Sequence, residues 1–175
     1  MTTTTATTAT GIAIQKLIEM LCDSTVFRAE VGATVAAGVL PFIFCPEKRY
    51  ETEDEQQEQA PHVFVVVTLP PGSIDVSLIA GGGKNYFAPP SGTIELQLIR
   101  QIDDFSNLHE ELVKFLNFSE GVWEYLIEQA AVDDQLAITR APREMLIQSD
   151  EKHVAGYKVQ KPFHKAVYTI GWGSA

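Results

Sequence analysis

"SIDVSLIAGGGKNYFAPPSGTIELQLIRQ", residues 73–101, contains two segments whose side chains alternate in character. In the first, Ile74, Val76 and Leu78 oppose Asp75 and Ser77; in the second, Ile94, Leu96 and Leu98 oppose Glu95 and Gln97. A period of two with one apolar face predicts a half-buried β-strand. Residues 80–92 between them therefore read as a long hairpin loop joining antiparallel neighbours. This placement decides how Gly81-Gly82-Gly83-Lys84 is read. A phosphate-binding loop needs a helix to begin where its backbone amides converge, and here a strand follows. The spacing fails too, because Leu78 stands where the first glycine belongs and Asn85 where the metal-binding hydroxyl belongs. The glycines instead supply positive φ to the loop, which "APPSG" closes.

Working outward, Ile12, Leu17, Ile18, Leu21 and Cys22 recur at near-helical spacing opposite Gln15, Lys16, Glu19 and Asp23. They predict an amphipathic helix capped by Thr10. "VLPFIF" and "HVFVVVTL" are rich in β-branched and aromatic residues and read as strands. Between them "EKRYETEDEQQEQ", residues 47–59, sets six acids against two bases and reads as an exposed acidic loop extending to about residue 60. A long helix is expected from about 107 to 131, with Leu108, Leu112, Phe115 and Leu116 on one face, a bend at "NFSEG", and Asn107 and Glu110 forming a loose capping box. "LAITRAP", "EMLIQ" and the alternating "KAVYTIGWG" return to strand character. The expected fold is α+β: a mostly antiparallel sheet, with the N-terminal helix and the long second helix packed on one face. A single domain over 11–175 follows a mobile Thr-rich leader, residues 1–10.

The 175 residues carry a net charge of −10, distributed as −1 over residues 1–46, −12 over 47–134 and +3 over 135–175. Binding nucleic acid by charge is disfavoured by that balance. The uncharged run Val31–Pro46 is shorter than the roughly 20 residues that cross a bilayer, and "MTTTTATTAT" lacks the basic and apolar regions of a secretory signal. The expectation is synthesis in the cytoplasm with no membrane contact. Cys22 and Cys45 belong to no C-x-x-C and read as small buried hydrophobes.

Catalytic and metal signatures are not evident. His109-Glu110-Glu111 would need a histidine where Val113 stands to make a zinc-protease helix, and His62, His109, His153 and His164 have no ligand spacing. Asp103-Asp104 and Asp133-Asp134 flank the long helix and read as structural, the first pair complementing its positive end. Arg140, Arg143, Lys152, Lys158, Lys161 and Lys165 lack interleaved aromatics and read as a solvated or subunit-contacting face. No catalytic residue, cofactor or metal is expected.

The order of elements carries a resemblance. "GIAIQKLIEML" (11–21), the hairpin "SIDVSLIAGGGKNYFAPPSGTIELQLIR" (73–100), the helix "NLHEELVKFL" (107–116) and the closing "AVYTIGWG" (166–173) together resemble the tail terminator and neck-completion proteins of long-tailed bacteriophages. The likeness is one of architecture across residues 11–173. The Thr-rich leader, the "ETEDEQQEQ" insertion and the bend at "NFSEG" are departures from it. It implies a virion protein made in the host cytoplasm. Such a protein forms a ring, usually of six copies, which caps the tail tube, stops its growth and meets the connector, and DNA passes through without specific binding. On that reading Tyr86, Phe87 and Trp172 are candidate oligomer contacts, and Glu51, Glu53, Asp54, Glu55 and Glu58 are an exposed or channel-facing acidic set. Two other classes remain open: an acidic monomeric adaptor binding one partner through residues 47–59, and a small-molecule enzyme without a recognisable motif.

Overall fold

The structure, a computed structural model, describes residues 9–45, 59–69, 74–75, 78–81, 84–87, 91–130 and 145–173. Residues 1–8 of the expected leader, most of the acidic loop, Gly82, Gly83 and residues 88–90 of the expected hairpin loop, "LAITRAP", Asp133-Asp134, Arg140 and Arg143 lie outside the described residues, while Ala9 and Thr10, expected in the leader, are helical.

Helix α1 spans Ala9–Asp23. It already includes Thr10, so that residue is helical rather than a cap. Ala13, Leu17 and Leu21, four apart, are buried, while Glu19 and Asp23 are exposed. Ser24 then breaks the helix and starts another, its hydroxyl accepting the Phe27 amide at 3.3 Å to cap α2, Thr25–Val31. Helix α2 stops at Gly32, whose φ of 70° is left-handed and is cheap only for glycine.

The expected strand "VLPFIF" is corrected. Residues Ala36–Phe42 form a 3₁₀ turn, and only β1, Ile43–Phe44, is extended. Pro41 lies inside the turn and has no amide to offer a ladder.

The remaining strands are β2 (Val63–Thr68), β3 (Ile74–Asp75), β4 (Leu78–Gly81), β5 (Lys84–Phe87), β6 (Ser91–Gln101), β7 (Met145–Ser149), β8 (His153–Val154), β9 (Tyr157–Lys158) and β10 (Phe163–Gly173). The main sheet runs β1-β2-β6-β10-β7, with β3 also pairing β6. Among the described residues β1 pairs with β2 in parallel, and β2–β6, β3–β6, β6–β10 and β10–β7 are antiparallel. The β6–β10 ladder is the longest, from Phe163 opposite Gln101 to Gly173 opposite Ser91. Because β6 and β7 both oppose β10, they run parallel to each other, and α3 is carried in the connection between them.

Strand β2 reads as an unbroken apolar run because both its faces are covered. Val63, Val65 and Val67 join the main core with Ile94, Leu96, Leu98 and the helices. Phe64 and Val66 join a second cluster with Phe44, Ile99, Val159 and Phe163. The β8–β9 hairpin covers that second face, turning through Ala155 and Gly156, both at positive φ. The fold is therefore α+β, with a mostly antiparallel sheet, helices on one face and a small hairpin on the other.

Helix α3 runs uninterrupted from Leu108 to Ala130, through the "NFSEG" stretch of residues 117–121. Ser119 is buried, its hydroxyl reaching back to the Leu116 carbonyl at 3.4 Å. A Cβ on Gly121 would lie 3.1 Å from Val26 Cγ1, so the glycine lets α2 approach α3. Phe27 meets Phe118 at 5.8 Å between ring centroids, and Trp123 stacks on Tyr168 at 4.3 Å. The cysteine expectation is met by Cys22, which is buried, and corrected for Cys45, which is exposed.

The Gly121–Val26 contact yields a coupling test. Alanine is the better helix former by about 1 kcal/mol, but in the native background the new methyl group presses on Val26. Gly121→Ala should therefore be more favourable in a Val26→Ala background than alone, by about 0.5–1 kcal/mol in a urea-denaturation double-mutant cycle. Zero coupling would show that the close approach imposes nothing.

Candidate functional site

Three features outside ordinary packing stand out: a ribbon, a buried charge cluster and a surface depression.

The ribbon lies within the region read as a loop. Strands β4 and β5 pair with each other, from Leu78 opposite Phe87 to Gly81 opposite Lys84, and with no other strand among the described residues. Lys84 begins a strand and no helix follows it, as the failed phosphate-loop spacing requires. Tyr86 and Phe87 belong to β5; their side chains lie outside the description. Glu51, Glu53, Asp54, Glu55 and Glu58 fall entirely outside the described residues. Trp172 is 4 % exposed and packs in the main core, so its indole is engaged within its own chain. Its Nε1 is buried and has no hydrogen-bond partner among the described residues.

The charge cluster was not anticipated from the sequence. Arg100 lies on β6 directly opposite His164 on β10, at the end of the core-facing row Ile94, Leu96, Leu98. Its Nε donates to Glu30 Oε1 at 2.9 Å and its Nη1 to Glu111 Oε2 at 2.8 Å. Glu111, in the first turn of α3, is 1 % exposed; it also accepts from the Asp103 amide and from Lys114 Nζ, both at 3.1 Å. Burial alone would raise the Glu111 pKa, but these donors outweigh it and hold the carboxyl at about 2. A carboxylate so fully occupied and so acidic cannot accept a proton near neutrality, so the cluster is a clamp rather than an acid–base pair. Arg100 is held protonated by the same partners.

Around the clamp, Asp103 binds Lys161 Nζ at 2.8 Å, and His62 Nε2 lies 3.2 Å from its other oxygen without hydrogen-bond geometry. His164, 5 % exposed, packs its ring 5.5 Å from that of Phe115. Desolvation lowers the pKa of both histidines. Asn107 Oδ1 receives the Glu110 amide at 3.4 Å, as the expected loose capping box requires, while Asp104, expected to complement the start of the long helix, accepts from the Ser106 amide at 2.8 Å and caps the short 3₁₀ turn before it. Among the described residues no three His, Cys, Asp or Glu side chains converge as metal ligands.

The depression, of about 380 Å³, is lined by Pro41, Phe44, Gln59, Pro61 and Tyr157. Phe44 and Tyr157 stack at 4.1 Å within it. Among the described residues its walls present the Gln59 amide and the Tyr157 phenol as polar side chains and no charged group.

Compared with known proteins, the sequence matches no family model and no curated protein.

The clamp makes stability dependent on its partners and on pH. Removing one member of a buried pair strands the other, so Glu111→Ala should cost about 3 kcal/mol in urea denaturation, with Arg100→Met/Glu111→Leu recovering most of it. Since its folded pKa lies below the ordinary 4.5, Glu111 contributes fully above pH 4.5 and loses that contribution as pH falls through about 2. His62 and His164, also lowered, contribute fully above pH 6.5 and lose that contribution as pH falls through their folded values. Melting temperature should thus decline first below pH 6.5, and His164→Phe should flatten that decline. An unchanged profile in this variant would remove His164 from the account.

Proposed function

We propose that this chain is a structural subunit of an oligomeric ring at the tail end or head–tail joint of a long-tailed bacteriophage particle, where it stops tube growth and joins tail to head. The observation that carries the reading is the β4–β5 ribbon. A two-stranded ribbon is marginally stable by itself in water, so one that leaves its sheet needs another surface, and in a ring the neighbouring subunit supplies it. In chain order the ribbon follows β3 and precedes β6, which pair with each other in the main sheet. The acidic balance also suits a conduit for DNA, since like charge keeps a passing duplex off the wall. In this reading Tyr86 and Phe87 anchor the arm on the neighbour, and the acidic set of residues 51–58 faces the channel or solvent.

Light scattering tests the reading directly. The protein, alone or with tail-tube protein, should form a discrete multiple of 19.3 kDa. Tyr86→Ser/Phe87→Ser should leave the melting temperature within a few degrees, because surface changes usually cost under about 0.5 kcal/mol, yet reduce the mass to one chain. A wild-type protein that stays monomeric under both conditions would favour the adaptor reading instead. Unfolding of the double variant would place the tip in its own core.

A further inference from the structure

Charge among the described residues divides between the two outer layers of the molecule. Helices α1, α2 and α3 together hold eight acids and three bases. On α3, Glu120, Glu124 and Glu128 are exposed; four residues apart, they form one stripe about 12 Å long on the side away from the sheet. The opposite layer has the other sign. Residues 150–165, which build β8–β9 and open β10, hold four lysines against Asp150 and Glu151. Lys152 and Lys158 are exposed, and the Val159 amide donating to the Lys152 carbonyl at 2.7 Å keeps them adjacent. Lys165 stands opposite Ile99 on the hairpin side of the sheet, and Lys161 is already bound to Asp103.

We propose that the outer face of α3 docks on the β8–β9 layer of a second copy of this chain, with Glu120, Glu124 and Glu128 against Lys152, Lys158 and Lys165. The inference rests on the ring reading and supplies the contact that would orient the ring. A two-fold contact would have to bring both patches into one interface, each facing the other, and patches on opposite layers cannot share an interface. They meet head to tail, and a head-to-tail contact closes into a ring when its rotation closes. Exposed ion pairs are individually weak. Their work here is to select which faces meet and to speed the encounter, while the arm supplies the apolar contact.

Charge exchange provides the test. Glu120→Lys/Glu124→Lys/Glu128→Lys and, separately, Lys152→Glu/Lys158→Glu/Lys165→Glu are compared with wild type by light scattering at about 0.05 M salt, with circular dichroism confirming the fold. Each reversal alone should weaken assembly about tenfold or more. An equimolar mixture of the two should assemble again, because each variant then presents the charge that the other lacks. Should a reversal unfold the chain, the corresponding glutamine variants replace it, and the expected result is loss of the wild-type salt dependence between about 0.05 and 0.5 M. Assembly of wild type that neither reversal affects, or a mixture that fails to recover, overturns this contact and leaves the ring reading standing. A wild-type chain that never assembles overturns both.

Discussion

The ladder between β6 and β10 is the constraint on which the rest of the fold depends. Eleven consecutive residue pairs join segments that lie far apart in sequence, so the intervening chain leaves the sheet at Gln101, rejoins it on the far side of β10 as β7 and enters it again at Phe163. Helix α3 accomplishes most of that return, and the β8–β9 hairpin completes it on the other face. Because the two long strands are central, one face receives the helices through Leu96, Leu98, Tyr168 and Ile170. The other receives the hairpin through Ile99 and Phe163. Closing so distant a pairing is entropically expensive, and the ladder is stable only because both faces are covered.

Where the ladder ends, a charge interaction ties the first turn of α3 to β6. Arg100 and Glu111 both occupy positions that their element's periodicity assigns to the core. Arg100 continues the row of Ile94, Leu96 and Leu98, and Glu111 precedes Phe115 by one helical turn. That coincidence was legible in the sequence: a base and an acid, eleven residues apart, each interrupting an apolar face. What hid it was the reading of Glu110 and Glu111 as part of a failed metal motif, which set aside the helix face on which each acid lies. Glu30 could not have been paired with Arg100 from sequence, since only the packing of α2 against the sheet end brings them together.

Strands β6 and β10 and the two main helices were readable because burial of one face imposes a period, whereas the alternating stretch 74–78, read as one strand, divides between β3, which pairs with β6, and β4, which pairs with β5. The misreadings fall where a residue acts through tertiary contact. "VLPFIF" has strand composition, but Pro41 cannot serve the ladder and the segment tightens into a 3₁₀ turn. Gly121, in the stretch read as a bend, has a further role that only the packing shows, as the point of close approach to Val26. Cys45 follows a buried phenylalanine and is itself exposed, because only two residues of its segment join the sheet. The ribbon could be placed between two strands, but the continuation of pairing into it is backbone information that apolar alternation does not encode.

The proposed role depends on that ribbon acquiring a partner in the assembly while the central ladder is already complete in the single chain. Hydrogen–deuterium exchange measured across the concentration range of assembly tests this most directly. Amides of residues 78–87 should exchange rapidly in the dilute chain and become protected on assembly, while those of β6 and β10 stay protected throughout. Equal protection of residues 78–87 at all concentrations, with assembly demonstrated in the same samples, would contradict it.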